Sequence, residues 1–249
     1  MTRDEIHELL SLMVKKEISD IHFKAGSSPV LRAHGRLIHS VLGESTPDGL
    51  AEMANELMNP KQRAHLEEEG ELDFAYTVPE VARFRINACR QQKSLALTMR
   101  VLPLHVRDMA TLNLPEEVLK KLCEEKRGLI LVAGNTGAGK TTTLNAMVDY
   151  LNQTYEYKVV TVEDPVEYLH KDAKCQIIQR EVGEDTKSFD AALKHVLRQD
   201  PDVVVVGEMR NAEAMRAGVT AAETGHLVLA TVHTVDATRT VAGLREKLE

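Results

Sequence analysis

Tryptophan is absent and phenylalanine occurs only four times, so the chain offers few rings on which the bases of a nucleic-acid strand could stack. Positive charge is not in excess either. The formal net charge is −7, whereas phosphate-backbone binding is driven by surplus lysine and arginine. Direct binding to nucleic acid is therefore not expected. The sequence has no apolar run of the ~18 residues a spanning helix needs. Its first residues, Met-Thr-Arg-Asp-Glu, resemble neither a signal nor a transit peptide. The expectation is a cytoplasmic protein. Cysteine is scarce: Cys89, Cys123 and Cys175 are far apart and none sits in a C-x-x-C pair. Neither a disulfide framework nor a zinc site is signalled, and the three are expected to be reduced and structural.

What is present is an ordinary globular composition, 43% hydrophobic and 28% charged over 249 residues, enough for a sizeable core in one or two domains. Thr2 and Glu5 match a capping box, with Ile6, Leu9, Leu10 and Met13 on one helical face. Extended segments are predicted over 20–23, 30–33 and 36–41, turning at His34-Gly35. Thr46-Pro47 opens a second helix that buries Leu50, Met53, Ala54, Leu57 and Met58. Further strands are predicted over 71–77, 81–90 and 95–102. Residues 1–102 thus read as a small α+β domain with an antiparallel sheet.

Residues 103–114 read as a connector, and the pattern then changes. Apolar strands are predicted over 129–133, 158–162, 203–206 and 227–232. Between them, amphipathic helices are predicted after Lys140, over 187–198 and over 212–224, the last with Gly225 at its C′ position. Alternating strands and helices of this kind imply a parallel sheet buried between helices over 115–249.

The chemistry begins with Gly134-Asn135-Thr136-Gly137-Ala138-Gly139-Lys140-Thr141, followed by Thr142. It fits G-x-x-x-x-G-K-[ST] at every fixed position, between an apolar strand and an amphipathic helix. Glycines let backbone N–H groups turn toward phosphate oxygens, and the helix N-terminus adds partial positive charge. Lys140 would reach the β- and γ-phosphates of ATP, and the Thr141 hydroxyl would ligate Mg²⁺.

Glu163 and Asp164 follow a predicted strand at its carboxyl end, where α/β sheets place ligands. A carboxylate there can activate water; the alternative is a solvated acidic turn. Glu208 follows four valines and Gly207 and would stand near the metal, although aspartate is commoner there. The alternative is a buried strand that happens to end in Gly-Glu. His226 and His233 flank the last predicted strand, about 23 Å apart, which argues against a shared metal. Each is either a sensor of phosphate or of a neighbouring subunit, or a hydrogen-bonded strand end. Arg83, Arg85 and Asn87 share one face of a predicted strand and Phe84 and Ile86 the other. The arginines are either a solvated face or positive charge for a neighbour's nucleotide.

Taken together, these motifs resemble the secretion-ATPase superfamily that drives type II secretion and type IV pili. Thr161-Val-Glu-Asp-Pro-Val-Glu-Tyr168 is similar to its aspartate box. Leu197-Arg-Gln-Asp-Pro-Asp202 leading into Val-Gly-Glu-Met-Arg210 is similar to its acidic motif, and Thr224-Gly-His-Leu-Val228 through Thr231-Val-His-Thr234 to its histidine box. Ser19-Asp-Ile-His22, Gln179-Arg-Glu-Val182 and Ala221-Ala-Glu-Thr-Gly-His226 look closer to the retraction (PilT-like) branch, and the zinc insertion of many assembly ATPases is missing.

The resemblance implies a PAS-like amino-terminal domain, a RecA-like core and a homohexamer that hydrolyses ATP with Mg²⁺ to power pilus retraction. It further implies an inner-membrane platform protein as partner, at the cytoplasmic face of that membrane. It makes Glu163 the general base, Glu208 a support for Mg²⁺, and His226 and His233 couplers of nucleotide to domain closure. Arg83, Arg85 and Arg100 match basic positions near nucleotide. The alternatives within reach are an assembly or secretion ATPase and a catalytically weak regulatory paralogue. Two departures stand out: Asn211 replaces the usual aspartate after Gly-Glu-Met-Arg, and the chain stops at Glu249, where the family continues with a helical region. The expectation is a truncated core.

Overall fold

The computed structural model describes residues 1–102, 105–209 and 211–248. Pro103, with which the expected connector begins, and Arg210 and Glu249 lie outside the described residues. The chain divides into two compact units, Met1–Leu104 and His105–Glu249.

The first unit opens with α1 (Arg3–Lys15), held by the capping box of Thr2 and Glu5 and burying Ile6, Leu10 and Met13. Strands β1 (Ile18–Lys24), β2 (Val30–Ala33) and β3 (Arg36–His39) follow, then α2 (Pro47–Leu57) and α3 (Pro60–Glu69), then β4 (Glu71–Val78), β5 (Ala82–Gln91) and β6 (Ser94–Leu102). Every pairing among these strands is antiparallel, in the order β3-β2-β1-β6-β5-β4. One face of the sheet carries Ile21, Phe84, Ile86 and Met99 into a core shared with α1 and α2. Helix α3 is not visible in the hydrophobic pattern, because Leu66 is its only buried apolar side chain. It is specified by its ends: Asn59 caps it, Pro60 occupies its first turn, Gln62 closes a capping box and Gly70 ends it at φ 80°.

The second unit contains α4 (Glu116–Cys123), β7 (Gly128–Ala133), α5 (Lys140–Thr154), β8 (Lys158–Glu163), β9 (Gln176–Glu181), α6 (Phe189–Val196), β10 (Val203–Val206), α7 (Ala212–Glu223), β11 (Leu227–Val232) and α8 (Ala237–Leu248). Its five strands form one sheet in the order β7-β11-β10-β8-β9, parallel throughout. Successive side chains of a strand point to opposite faces, and each face has its own core. Val204, Val206, Val228 and Ala230 pack with α6 and α7, whereas Val203, Val205, Leu227 and Leu229 pack with α5. Burial on both sides explains the four consecutive valines, each worth about 1.5–3 kcal/mol when removed from water. The fold is therefore α/β, with a parallel sheet between helices.

Residues 105–114 lie against this second core. Met109 is buried there, and Val106, Leu112 and Leu114 pack beside it. The helix predicted over 187–198 is shorter, Phe189–Val196, because Ser188 caps it by accepting from the Ala191 amide. Among the described residues no helix is long and apolar enough to cross a membrane.

Candidate functional site

Parallel strands send all their carboxyl ends to one edge of the sheet, and four of the segments singled out from the sequence meet there. β7 runs into 134–139, β8 ends on Glu163, β10 runs into Gly207 and Glu208, and β11 into His233. The register keeps these ends level: Val162 lies opposite Val206, and Val206 opposite Ala230.

Gly137 and Gly139 both sit at positive φ (80° and 90°), a conformation that side chains resist. The loop closes on itself through Ala138 N–H to the Asn135 carbonyl at 3.1 Å. The Lys140 ammonium donates to that same carbonyl at 3.1 Å, and the lysine is 8% exposed. Helix α5 starts at Lys140 without a side-chain cap, so its first amides face the loop. The Thr143 hydroxyl and amide both return to the Gly139 carbonyl. Asn135, Thr136, Gly137 and Ala138 are exposed, and Gly134, Thr141 and Thr142 are half-buried. An alanine methyl at Gly134 would lie 3.0 Å from Ala138 Cβ, which explains the glycine at the first position of the motif.

Glu163 is not in a solvated turn. Only 5% of it is exposed, and its Oε1 accepts from the Thr161 hydroxyl at 2.7 Å and the Gln179 amide at 3.3 Å. Burial pushes its carboxyl above the usual carboxylate range, and the bonds from Thr161, Gln179 and the Glu167 backbone pull the other way. Asp164, beside it, is exposed. On the neighbouring strand, the Gly207 amide donates to the Val162 carbonyl at 2.8 Å, and the Met209 amide to the Thr231 carbonyl at 3.0 Å. These bonds pin the short loop between β8 and β11. They leave Glu208 with its Oε1 at 3.3 Å from His233 Nε2, beside a cavity of about 210 Å³ lined by Met215, Thr240 and Leu244.

No three His, Cys, Asp or Glu side chains gather into a metal cage among the described residues. The Thr141 hydroxyl and the Glu208 carboxylate are oxygen donors, and that set suits Mg²⁺, which keeps several waters and takes few protein ligands.

His226 stands apart. It precedes β11 at the amino edge of the sheet, where its carbonyl accepts from Gly128 N–H and its Nδ1 lies 3.0 Å from the Ala221 carbonyl. The strand separates it from His233 by about 23 Å. Arg83, Arg85 and Arg100 belong to the first unit and share the polar face of its sheet. Arg85 and Arg100 lie directly opposite each other, a like-charge pairing that each offsets with its own acid. Arg100 reaches the buried Asp20 at 2.7 Å, and Arg85 reaches Asp73 at 3.6 Å. Arg83 donates to the Thr77 hydroxyl at 3.0 Å. Asn211 caps α7 by accepting from the Ala214 amide at 2.8 Å, a task asparagine and aspartate perform about equally well.

Sequence reading missed several polar residues around Glu163. Gln179 holds the Tyr168 carbonyl and the His170 amide as well as Glu163. Glu181, 9% exposed, accepts from the Val166 amide. Asn145 bonds His170 on one side and the Thr141 carbonyl on the other. The run Gln179-Arg180-Glu181 stands out in the sequence as a motif, but its mixed polar pattern does not announce the strand, Gln176–Glu181, that carries it.

A family model described as "Type II/IV secretion system protein" matches residues 3–247. The type IV pilus retraction ATPase PilT of Pseudomonas aeruginosa is 44% identical over 237 residues, covering 95% of this chain and 69% of that protein. The type IV pilus assembly ATPase PilB of Myxococcus xanthus is 39% identical over 65% of this chain and 29% of its own length. A crystal structure of the pilus retraction motor PilT with bound ADP superposes with a TM-score of 0.90 at 44% identity, covering 97% of this chain and 70% of that one. By sequence and by fold, the chain belongs to the type II/IV secretion system protein family.

Proposed function

We propose that this chain binds ATP with Mg²⁺ at the carboxyl edge of its parallel sheet, hydrolyses it, and works as a subunit of a pilus-retraction motor. The observation that carries the reading is the meeting of the glycine loop and its anchored Lys140 with a buried carboxylate, Glu163, and with the Glu208–His233 pair at one sheet edge. The lengthwise match to a retraction ATPase, against a partial match to an assembly ATPase, favours retraction and twitching motility over assembly.

In this reading the amides of 134–139 and the head of α5 bind the phosphates. Lys140 leaves the Asn135 carbonyl to neutralise charge on the γ-phosphate. Thr141 and Glu208 would hold Mg²⁺, and the ion, when bound, would supply charge stabilisation to the phosphoryl group. Glu163 takes the proton of the attacking water. Its burial suits the task, since a base with an elevated pKa accepts that proton more readily. His233 holds Glu208 and reports on the phosphate.

The larger machine is a homohexamer with a PAS-like first unit and a RecA-like second. In it Arg83, Arg85 and Arg100 bring positive charge toward a neighbouring subunit's nucleotide, and His226 serves subunit coupling rather than chemistry. It acts through an inner-membrane platform protein at the cytoplasmic face.

Phosphate release by the purified chain, with Lys140→Ala as control, tests the enzyme. The substitution removes one charge-assisted contact and should weaken ATP binding about 10–100-fold. No release above that control refutes hydrolysis. Failure to restore twitching to a retraction-deficient strain, in a chain that does hydrolyse ATP, refutes the retraction role.

A further inference from the structure

Between the glycine-loop helix and Glu163 runs an unbroken set of polar contacts to which the proposed chemistry gives no part. Gln179 lies directly across from Thr161 in the β8–β9 register, so it shares a sheet face with Thr161 and with Glu163 two residues further on. Its amide Nε2 donates to Glu163 Oε1 at 3.3 Å and to the Tyr168 carbonyl at 2.8 Å, and its Oε1 accepts from the His170 backbone N–H at 2.8 Å. These three bonds fix which end of the amide faces Glu163. The His170 ring goes on to Asn145, Nε2 to Oδ1 at 2.7 Å, and the Asn145 amide donates to the Thr141 carbonyl at 2.9 Å. Since the Asn145 N–H is committed to Thr141, its oxygen is the acceptor and His170 must present Nε2–H. Burial holds His170 below its usual pKa and so keeps the ring neutral in this role.

We propose that Gln179 is a positioning residue: its amide orients Glu163 and, through His170 and Asn145, ties that carboxylate to the first turn of the helix that carries Thr141. The inference rests on Glu163 being the base. A carboxylate 5% exposed has few other donors to fix its rotamer, and a misplacement of about 1 Å can cost about 100-fold in rate. A free-swinging base would lose its alignment with an in-line water. The tie to Thr141 makes the base and the phosphate grip move as one body.

The titratable groups nearest Glu163 along the chain and across the strand pairing are Asp164, Glu167 and His170 after β8, and Glu181 opposite it on β9, with Glu208 one residue beyond Gly207 at the end of β10. Of these, Glu167 acts on it through charge, in the raising direction.

The test reads the Glu163 carboxyl directly, by carbon-detected NMR titration of the nucleotide-free chain, with Glu163→Gln identifying the signal. Gln179→Met keeps the volume and removes the donor. The Glu163 midpoint should rise by about one pH unit, single-turnover hydrolysis should fall about 10–100-fold, and affinity for an ATP analogue should stay within about threefold of wild type. Gln179→Glu retains the acceptor for the His170 amide but loses the N–H bonds to Glu163 and to the Tyr168 carbonyl, and it sets a second carboxylate beside Glu163. It should show a larger upward midpoint and slow turnover at a lower melting temperature. A purely structural role predicts that Gln179→Met, though it melts lower, titrates at Glu163 and turns over like wild type once folded, and that result overturns the inference while leaving Glu163 as base. Wild-type turnover in Glu163→Gln overturns the base itself. The titration needs no turnover, so it decides the positioning even for a chain that hydrolyses slowly.

Discussion

Gly207 sits where β10 runs past Glu163, and adding a single methyl group there gives a quantitative test of the site. An alanine Cβ at 207 would lie 3.2 Å from Glu163 Cα, 3.3 Å from Glu163 Cγ and 3.3 Å from the Val162 carbonyl oxygen. Carbon atoms in contact prefer about 3.5–4.0 Å, so the two strands must part by a few tenths of an ångström. Nothing nearby yields easily. The crowded atoms are mostly backbone, the strands are interior neighbours in the sheet, and the Gly207 amide is bonded to Val162 at 2.8 Å. Overpacking of this kind costs about 1–3 kcal/mol. Gly207 lies outside the left-handed region, so alanine recovers about 0.4–1 kcal/mol by restricting the unfolded chain. The net expectation for Gly207→Ala is a loss of about 1–2 kcal/mol, or about 5 °C in melting temperature. Moving Glu163 by tenths of an ångström should slow hydrolysis about tenfold with ATP affinity unchanged. Gly243→Ala is the matched control. It is a helical glycine with nothing within 4 Å of the added methyl, and it should stabilise by about 0.5–1 kcal/mol. Denaturant melts and single-turnover phosphate release decide the matter. If Gly207→Ala is as stable and as fast as wild type, the close approach of β10 to Glu163 is refuted.

Glu163→Gln should melt higher than wild type at pH 8, by about 1 kcal/mol. Burial lifts the folded-state pKa of Glu163 above its ordinary 4.5, so the stability linked to this group is fully present below that ordinary value and lost as pH rises through the lifted one. The advantage of the variant should therefore vanish as the pH drops to about 4, and identical melts at pH 8 would show that the carboxylate is not disfavoured by burial. Among the thiols, maleimide should label Cys89 first, because Cys89 is half-buried while Cys123 and Cys175 are buried. Burial pushes the Cys123 thiol up to about 12, leaving almost no thiolate at neutral pH. Rapid labelling of Cys123 in the native protein, read by peptide mass spectrometry, would contradict that burial.

The parallel sheet was legible because burial on both faces writes itself into sequence as unbroken apolar runs, as at Val203–Val206. The glycine loop was legible because its backbone demands are local: two positive-φ positions and a helix start within a few residues. Elements whose stability comes from their ends or edges were not. Helix α3 is set by Asn59, Pro60 and Gly70 rather than by an apolar stripe. Strand β9 lies at the sheet edge with four of its six residues half-buried, and its mixed Gln-Ile-Ile-Gln-Arg-Glu pattern matches neither period cleanly. Helix α4 is eight residues long with no side-chain cap, too short for periodicity to speak. Strand β3, expected to reach residue 41, ends at His39 and is exposed throughout, so no buried face fixes where it should stop.

The polar network behind Glu163 shows a different limit. Local pattern assigns a side chain to a face but does not say which strand lies alongside, and Gln179 matters only because β9 pairs with β8 in the register that sets it against Thr161. One signal for it was nonetheless present on α5. Asn145 and Asn152 lie seven residues apart on the buried face of that helix, 4% and 1% exposed, among Leu144, Met147, Val148 and Leu151. A buried amide must be hydrogen-bonded or it destabilises the fold by about 1–3 kcal/mol, so two of them two turns apart imply a polar partner running along the helix. That partner is the segment after Tyr168. Asn145 takes the His170 ring, and Asn152 takes the Lys171 carbonyl and the Ala173 amide. Asparagines on the core face of a phosphate-loop helix thus mark where the chain between β8 and β9 docks. By docking there, that chain brings its own polar groups, and the strand that follows it, up to the carboxylate at the end of β8.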